Sequence, residues 1–310
     1  MNPAEFWKNF RLGEELSISG AFIYNGLRRF YELRKLDHPD EIFEVLYNLS
    51  VGIERLLKIA VVLLEHADSQ DQEALEQSLR THNHLELLRR IRGHCRINLA
   101  SPHNELLALL GTFYKSHRYD RFSMSSITDL EKEKDALFSY VGKHLNVDIP
   151  VSDSLFGTPN DARYKKFLHR IVQTICRALY DVVRLRASYL NLYTYELRHG
   201  SKAETIFLGD ADIPAENVLW KELLLFFMNT KSSSGYLDFL RSIEPLDFDP
   251  ELVDEYLDCF QSDAAKSLVI GELESHYEDV ADKGKRLELI EVIGSPGVYF
   301  DDPDEEESLD

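Results

Sequence analysis

The chain has 310 residues, 44% hydrophobic and 11% aromatic, a composition that supports a packed core and excludes a disordered chain. Gly (15) and Pro (10) are scarce, which disfavours a β-sandwich or a collagen-like chain. The formal net charge is −19, from 35 basic and 54 acidic side chains, and it is unevenly spread. Residues 1–121 carry 16 basic and 17 acidic groups, residues 122–203 carry 12 and 9, and residues 204–310 carry 7 and 28.

The helical period dominates from the start, so the expected fold class is all-α. Residues 14–36 place Leu16, Ile23, Leu27 and Phe30 on one stripe. The run Asp37-His38-Pro39-Asp40 breaks it, with Asp37 or Asp40 able to cap the next helix. Residues 41–66 show apolar side chains at i, i+3 and i+4 with few interruptions, the pattern of a buried helix. Shorter helices are expected over 71–80, 83–97 and from Ser101 to Tyr114, then another over 128–145 with Thr128 and Glu131 as a capping box. The segment 146–162 holds two prolines and a glycine and reads as a linker. A long helix is expected from Arg163 to about Arg198, roughly 54 Å at 1.5 Å per residue. A helix of that length connects domains or pairs with another chain.

The expected organisation is an N-terminal helical bundle (1–145), the linker (146–162), the long connecting helix (163–203), an acidic helical region (204–300) and an acidic tail (301–310). The tail reads as disordered or loosely held, and the segment before it, Gly297–Asp301, as a short strand.

Several classes fall away. The opening MNPAEFWKNF has no apolar stretch of a secretory signal, and no apolar run exceeds Ile59–Leu64, far short of the roughly 20 residues of a membrane span. Cys95, Cys176 and Cys259 are widely spaced, which fits a reduced cytoplasmic protein. No spacing suits a zinc site, and phosphate-binding loops, zincin helices and nucleophile elbows are missing, so neither a metal nor a cofactor is expected.

Chemistry concentrates in residues 80–121, with eight basic groups, three acids and five histidines. Such a stretch can neutralise phosphates. Arg92, Arg96, Arg118 and Arg121 are the candidate nucleic-acid contacts, and Arg118-Tyr119-Asp120-Arg121-Phe122 interleaves guanidiniums with rings that stack on bases. An Arg followed shortly by a His can cleave RNA, the guanidinium stabilising phosphorane charge and the imidazole moving protons. Three such pairs occur: Arg89/His94, Arg96/His103 and Arg163/His169. About two are expected by chance, so context selects among them. Arg89 and His94 lie in the basic segment and are the catalytic candidates.

The segments GIERLLKIAVVLLEHA (52–67), HNHLELLRRI (82–91) and FYKSHRYDRF (113–122) together resemble the HEPN family of helical domains over roughly residues 16–145. The resemblance rests on Glu54, Arg55 and Lys58, then His84, Leu85, Leu87 and Leu88, then Tyr114, Arg118 and Tyr119. It implies a four- or five-helix bundle that often dimerises. It also implies a component of a prokaryotic defence or toxin–antitoxin system acting on RNA as a metal-independent endoribonuclease. Many members lack the catalytic pair and serve as binding or assembly modules. The alternative expectation is therefore a non-catalytic helical subunit, a homodimer or part of a larger complex. It would bind RNA or nucleotide through residues 80–121 and dock a protein partner through the acidic third.

Overall fold

The computed structural model describes residues 3–66, 72–120, 122–124, 131–149, 157–209, 213–260 and 263–300, without the side chains of 213–217 and 263–265. The fold is all-α: among the described residues there is no strand, only one isolated antiparallel bridge between Lys35 and Pro159. Two compact units are present, residues 1–213 and residues 214–310.

The first unit is built on a helical hairpin, α1 (Leu12–Glu32) and α2 (Pro39–Glu65). Their contacts run in opposite directions: Glu15 meets Arg55, Ser19 meets Gly52, and Arg29 meets Glu41 and Glu44. The helices approach closely because small residues face each other. The Ser19 hydroxyl donates to the Gly52 carbonyl at 2.7 Å, and a Cβ on Gly52 would lie 2.6 Å from Ile23. Asp37 does not cap α2. Its carboxylate accepts from Thr158 N–H at 2.7 Å, while His38 occupies the cap without a side-chain bond and Pro39 starts the helix, where its missing N–H costs nothing.

Around the hairpin lie α3 (His84–His94), α4 (Ser101–Thr112), α5 (Lys132–Leu145), α6 (Ala162–Tyr189) and α7 (Lys202–Leu208). Thr128, half of the expected capping box, lies outside the described residues, as do residues 150–156 of the expected linker. The rest of that linker is tied down. Asn160 is buried and donates to the carbonyls of Phe30 (2.7 Å) and Leu33 (3.1 Å), which closes the end of α1.

The long helix α6 spans 28 residues, about 42 Å rather than 54. It ends at Tyr189 because Asn191 turns left-handed (φ 54°), a conformation Asn tolerates, and the following Leu-Tyr-Thr-Tyr run favours extended backbone. It packs against α1, α2, α4, α5 and α7 inside the first unit, with Phe167, Leu168, Ile171, Ile175, Leu179 and Val183 in the core. It is thus a core helix of that unit.

The second unit is also helical, with α8 (Ile213–Asn229), α9 (Gly235–Ser242), α10 (Val253–Cys259), α11 (Asp263–Asp279) and α12 (Lys283–Glu291). None of its described side chains is fully buried. The strand expected at Gly297–Asp301 does not form over residues 297–300. Phe300 instead packs its ring against Tyr236 (4.8 Å) and Phe239 (4.9 Å), side chains that α9 offers on one face. The acidic tail 301–310 lies outside the described residues.

Candidate functional site

Helix α3 carries the expected catalytic pair. Asn83 caps it by accepting from Glu86 N–H at 3.1 Å, and Leu87, Leu88 and Ile91 anchor it in the core. Arg89 stands exposed and binds Glu86 through two nitrogens at 2.9 and 2.6 Å. His94 lies 3.6 Å from Glu65, the residue that Arg90 also grips. The structure therefore groups His94 with Arg90, not with Arg89. Five helical residues turn about 140°, whereas four return to the same face. The hydrogen bonds from Arg90 hold the Glu65 carboxyl below its usual range.

Members of the other expected pairs have local partners. His103 Nδ1 accepts from Ala100 N–H at 3.1 Å and closes the start of α4, and Arg163 binds Asp161 at 3.2 Å. Of the expected nucleic-acid contacts, Arg92 bonds Asn104 at 3.1 Å and Arg96 bonds Asn98 at 3.4 Å, both from exposed positions. Arg121 lies outside the described residues.

Arg118 belongs to a second cluster. Helix α4 widens after Thr112 into a π-turn, Phe113–His117, and its Tyr114 ring lies 5.9 Å from that of Tyr47 on α2. The Arg118 guanidinium lies 3.8 Å from the Tyr114 ring and 4.4 Å from the Tyr119 ring, and Nη2 donates to the Tyr119 hydroxyl at 2.6 Å. Arg118 Nε is buried and makes no hydrogen bond among the described residues. Against the same Tyr114 ring, 4.7 Å between centroids, sits His82 edge-on.

His82 is held from behind. Its Nδ1 lies 3.0 Å from Glu54, whose side chain is only 8% exposed and also accepts from Lys58 Nζ at 2.6 Å. Glu54 and Lys58 share one face of α2 at i, i+4. Burial, the largest influence, raises the pKa of the Tyr114 phenol, so it stays neutral near pH 7. Two residues on, His84 is fully buried, with Nε2 3.0 Å from the Ser50 carbonyl. Burial lowers its pKa and keeps it neutral. His84 thus pins the start of α3 to α2 and sets where His82 stands.

The arrangement offers an imidazole oriented by a carboxylate, with the ring 42% exposed, beside a fixed guanidinium and stacked aromatic rings. With Nδ1–H donated to Glu54, Nε2 is left to accept a proton. Glu54, Lys58, Tyr114, Arg118 and Tyr119 stand among the residues singled out in the sequence, whereas Arg55, singled out with them, pairs with Glu15. His82 was not singled out with them: it lies in the segment preceding α3, 28 residues from Glu54, and no periodic pattern links the two.

No family model, no curated protein and no solved structure matches the chain. Among the described residues no group of His, Cys, Asp and Glu is placed to hold a metal ion. Among them no helix is long and apolar enough to cross a membrane.

Proposed function

We propose that the protein is a HEPN-like helical protein that acts on RNA, with its centre at Glu54, His82, Tyr114 and Arg118. The observation that supports this reading is the placement of His82, oriented by Glu54, on the same tyrosine ring that carries Arg118. In the reaction a ribose 2′-hydroxyl gives its proton to His82 Nε2 and attacks the adjacent phosphorus. The bond to the 5′-oxygen breaks, that oxygen takes a proton from water, the hydroxide so formed takes the proton held by His82, and a 2′,3′-cyclic phosphate remains. Arg118 stabilises the phosphorane charge. Relative to the expectation from spacing, the acid/base role moves from His94 to His82, because Arg89 is directed to Glu86.

The test is cleavage of labelled RNA in EDTA by the purified chain and by His82→Ala, Arg118→Ala and His94→Ala. Loss by about a hundredfold or more is expected for the first two, and little change for the third. Equal loss in His94→Ala alone would return the role to His94.

A second reading, a non-catalytic subunit that docks a protein partner through the acidic third, is favoured by helix α8. It exposes Leu219, Leu223, Leu225, Phe226, Phe227 and Met228 on an acidic unit, the apolar area a partner covers. RNA binding without cleavage by the wild type would favour this reading.

A further inference from the structure

Helix α6 carries seven basic residues and a single acid, Asp181. Arg163, Arg170, Arg177 and Arg184 recur every seven residues, which puts them on one face about 10.5 Å apart. All four are exposed. No step of the proposed cleavage uses them.

Three hollows of about 550, 500 and 710 Å³ lie on the exposed side of α6, the first and third against that face and the second further around the helix. The second shares Ala178 and Asp181 with the first and Asp181 and Leu185 with the third, so the three adjoin as one trough. Arg170 and Arg177 border the first hollow, Arg96 and Arg186 the second, Arg184 and Arg198 the third. Asp181 is the single carboxylate among the described lining residues.

The positive charge is largely uncancelled. Of the six arginines only Arg184 faces a carboxylate, Glu204 at 3.6 Å, among the described residues. Arg186 Nε donates to the Leu63 carbonyl at 2.9 Å, and Arg177 donates to the Leu208 carbonyl. Bonds to neutral carbonyls fix a guanidinium in place and leave its charge intact. Arg96 was a nucleic-acid candidate on sequence grounds, and here it joins a helix 70 residues further on.

One end of the trough is aromatic. Tyr189 and Tyr193 are 74% and 77% exposed, and the Arg186 guanidinium lies 4.6 Å from the Tyr189 ring. Large exposed rings beside unneutralised arginines suit a ligand with both phosphates and flat faces.

We infer that the trough along α6 is a binding track for single-stranded RNA, with its arginines on the phosphates and Tyr189 and Tyr193 stacked on bases. From Arg170 to Tyr189 it runs about 28 Å, room for several nucleotides of an unstacked strand. A duplex offers no unstacked base to the two tyrosines. An acidic protein would use the arginines but leave the rings without a role. This inference rests on the RNA reading for the identity of its ligand, but not on cleavage.

The test is fluorescence anisotropy with the full-length chain and a labelled, single-stranded 2′-O-methyl RNA of about twelve nucleotides. That probe has no free 2′-hydroxyl, so binding is read without cleavage. The wild type is expected to bind it. The double variant Arg96→Gln/Arg170→Gln removes two charges that hold no carboxylate among the described residues. It should weaken binding about tenfold or more and reduce the slope of log affinity against log salt by about 1.4. Tyr189→Ala should weaken binding about fivefold or more with the salt slope unchanged. Circular dichroism melts establish that the variants are folded.

No binding by the wild type, or wild-type affinity and slope in the double variant, would overturn the track. So would equal binding of a duplex of the same length. Competition by a polyglutamate peptide as effective as RNA, with Tyr189→Ala indifferent, would assign the trough to an acidic protein. Intact track binding together with absent cleavage would sink the proposed chemistry and leave the track standing.

Discussion

His82 and His84 stand two residues apart and do different work. His82 is partly exposed and oriented by Glu54, whereas His84 is sealed in the core against the Ser50 carbonyl. Burial lowers the pKa of His84, so the unfolded chain takes up a proton near pH 6.5 that the folded chain refuses. Stability is therefore fully present above that pH and falls as the pH drops towards the lower, folded value. The limiting slope is about 1.4 kcal/mol per pH unit for one proton. His103, also lowered chiefly by burial, adds in the same direction. Urea unfolding of wild type and His84→Gln between pH 7 and 5 checks this, and the variant should show the shallower dependence. A slope equal to that of wild type would mean that His84 titrates normally. The roles of these histidines were not legible in the sequence, because THNH has no period and burial is decided by a carbonyl on another helix. The sequence offers Arg118 and Tyr119 as contacts for a phosphate and a base, and the hydrogen bond between them was not legible, because adjacent side chains on a helix point about 100° apart.

Helices were legible where the 3.6-residue apolar stripe is long, as in α2 and α6, because the period itself reflects one buried face. Their ends were less so. Asp37 looks like a cap for α2, yet its carboxylate is used by a segment more than a hundred residues away. That contact makes a prediction. Gly157 has φ +71°, and a Cβ there would lie 1.8 Å from the Asp37 carboxylate. Gly200 has φ +78° with open space around it. Gly200→Ala should therefore cost only the left-handed backbone penalty, about 1 kcal/mol, and Gly157→Ala clearly more, because the strap over α1 must shift. The hairpin gives a parallel case. Gly52→Ala would press a methyl group against Ile23 and the backbone of α1, at a cost of about 1–3 kcal/mol. Chemical denaturation midpoints of the three variants rank these effects, and a Gly157→Ala midpoint equal to that of Gly200→Ala would refute the crowding argument.

Across the whole chain, the partition of charge was readable by counting, and the acidic region counted from residue 204 begins ten residues before the second compact unit. The Pro- and Gly-containing stretch at 146–162 suggested a boundary, yet Thr158 and Asn160 bond into the end of α1. A boundary depends on which segments exchange hydrogen bonds and core contacts, and composition does not record that.

The unit division and the charge partition combine into one further expectation. The core of the first unit is continuous and includes Ile206 and Phe207 of α7, and Gly209 ends that helix in a left-handed turn. A chain ending at Gly209 should therefore keep one cooperative thermal transition, within a few degrees of the corresponding transition in the full protein. It would also lose most of the acidity, since residues 1–203 hold 28 basic and 26 acidic groups against 7 and 28 in the remainder. A polyanion approaching the full chain meets a net charge of −19. The shortened chain presents a charge close to zero. At about 10 mM salt, where the Debye length is roughly 30 Å, the shortened chain should bind RNA more tightly. The gap should close by about 1 M salt, where screening acts within roughly 3 Å. Titrations of both chains with the same RNA across that range decide the matter. A gap independent of salt would mean that the acidic third acts by direct contact instead of by its field, and a shortened chain that fails to fold would place part of its core beyond Gly209.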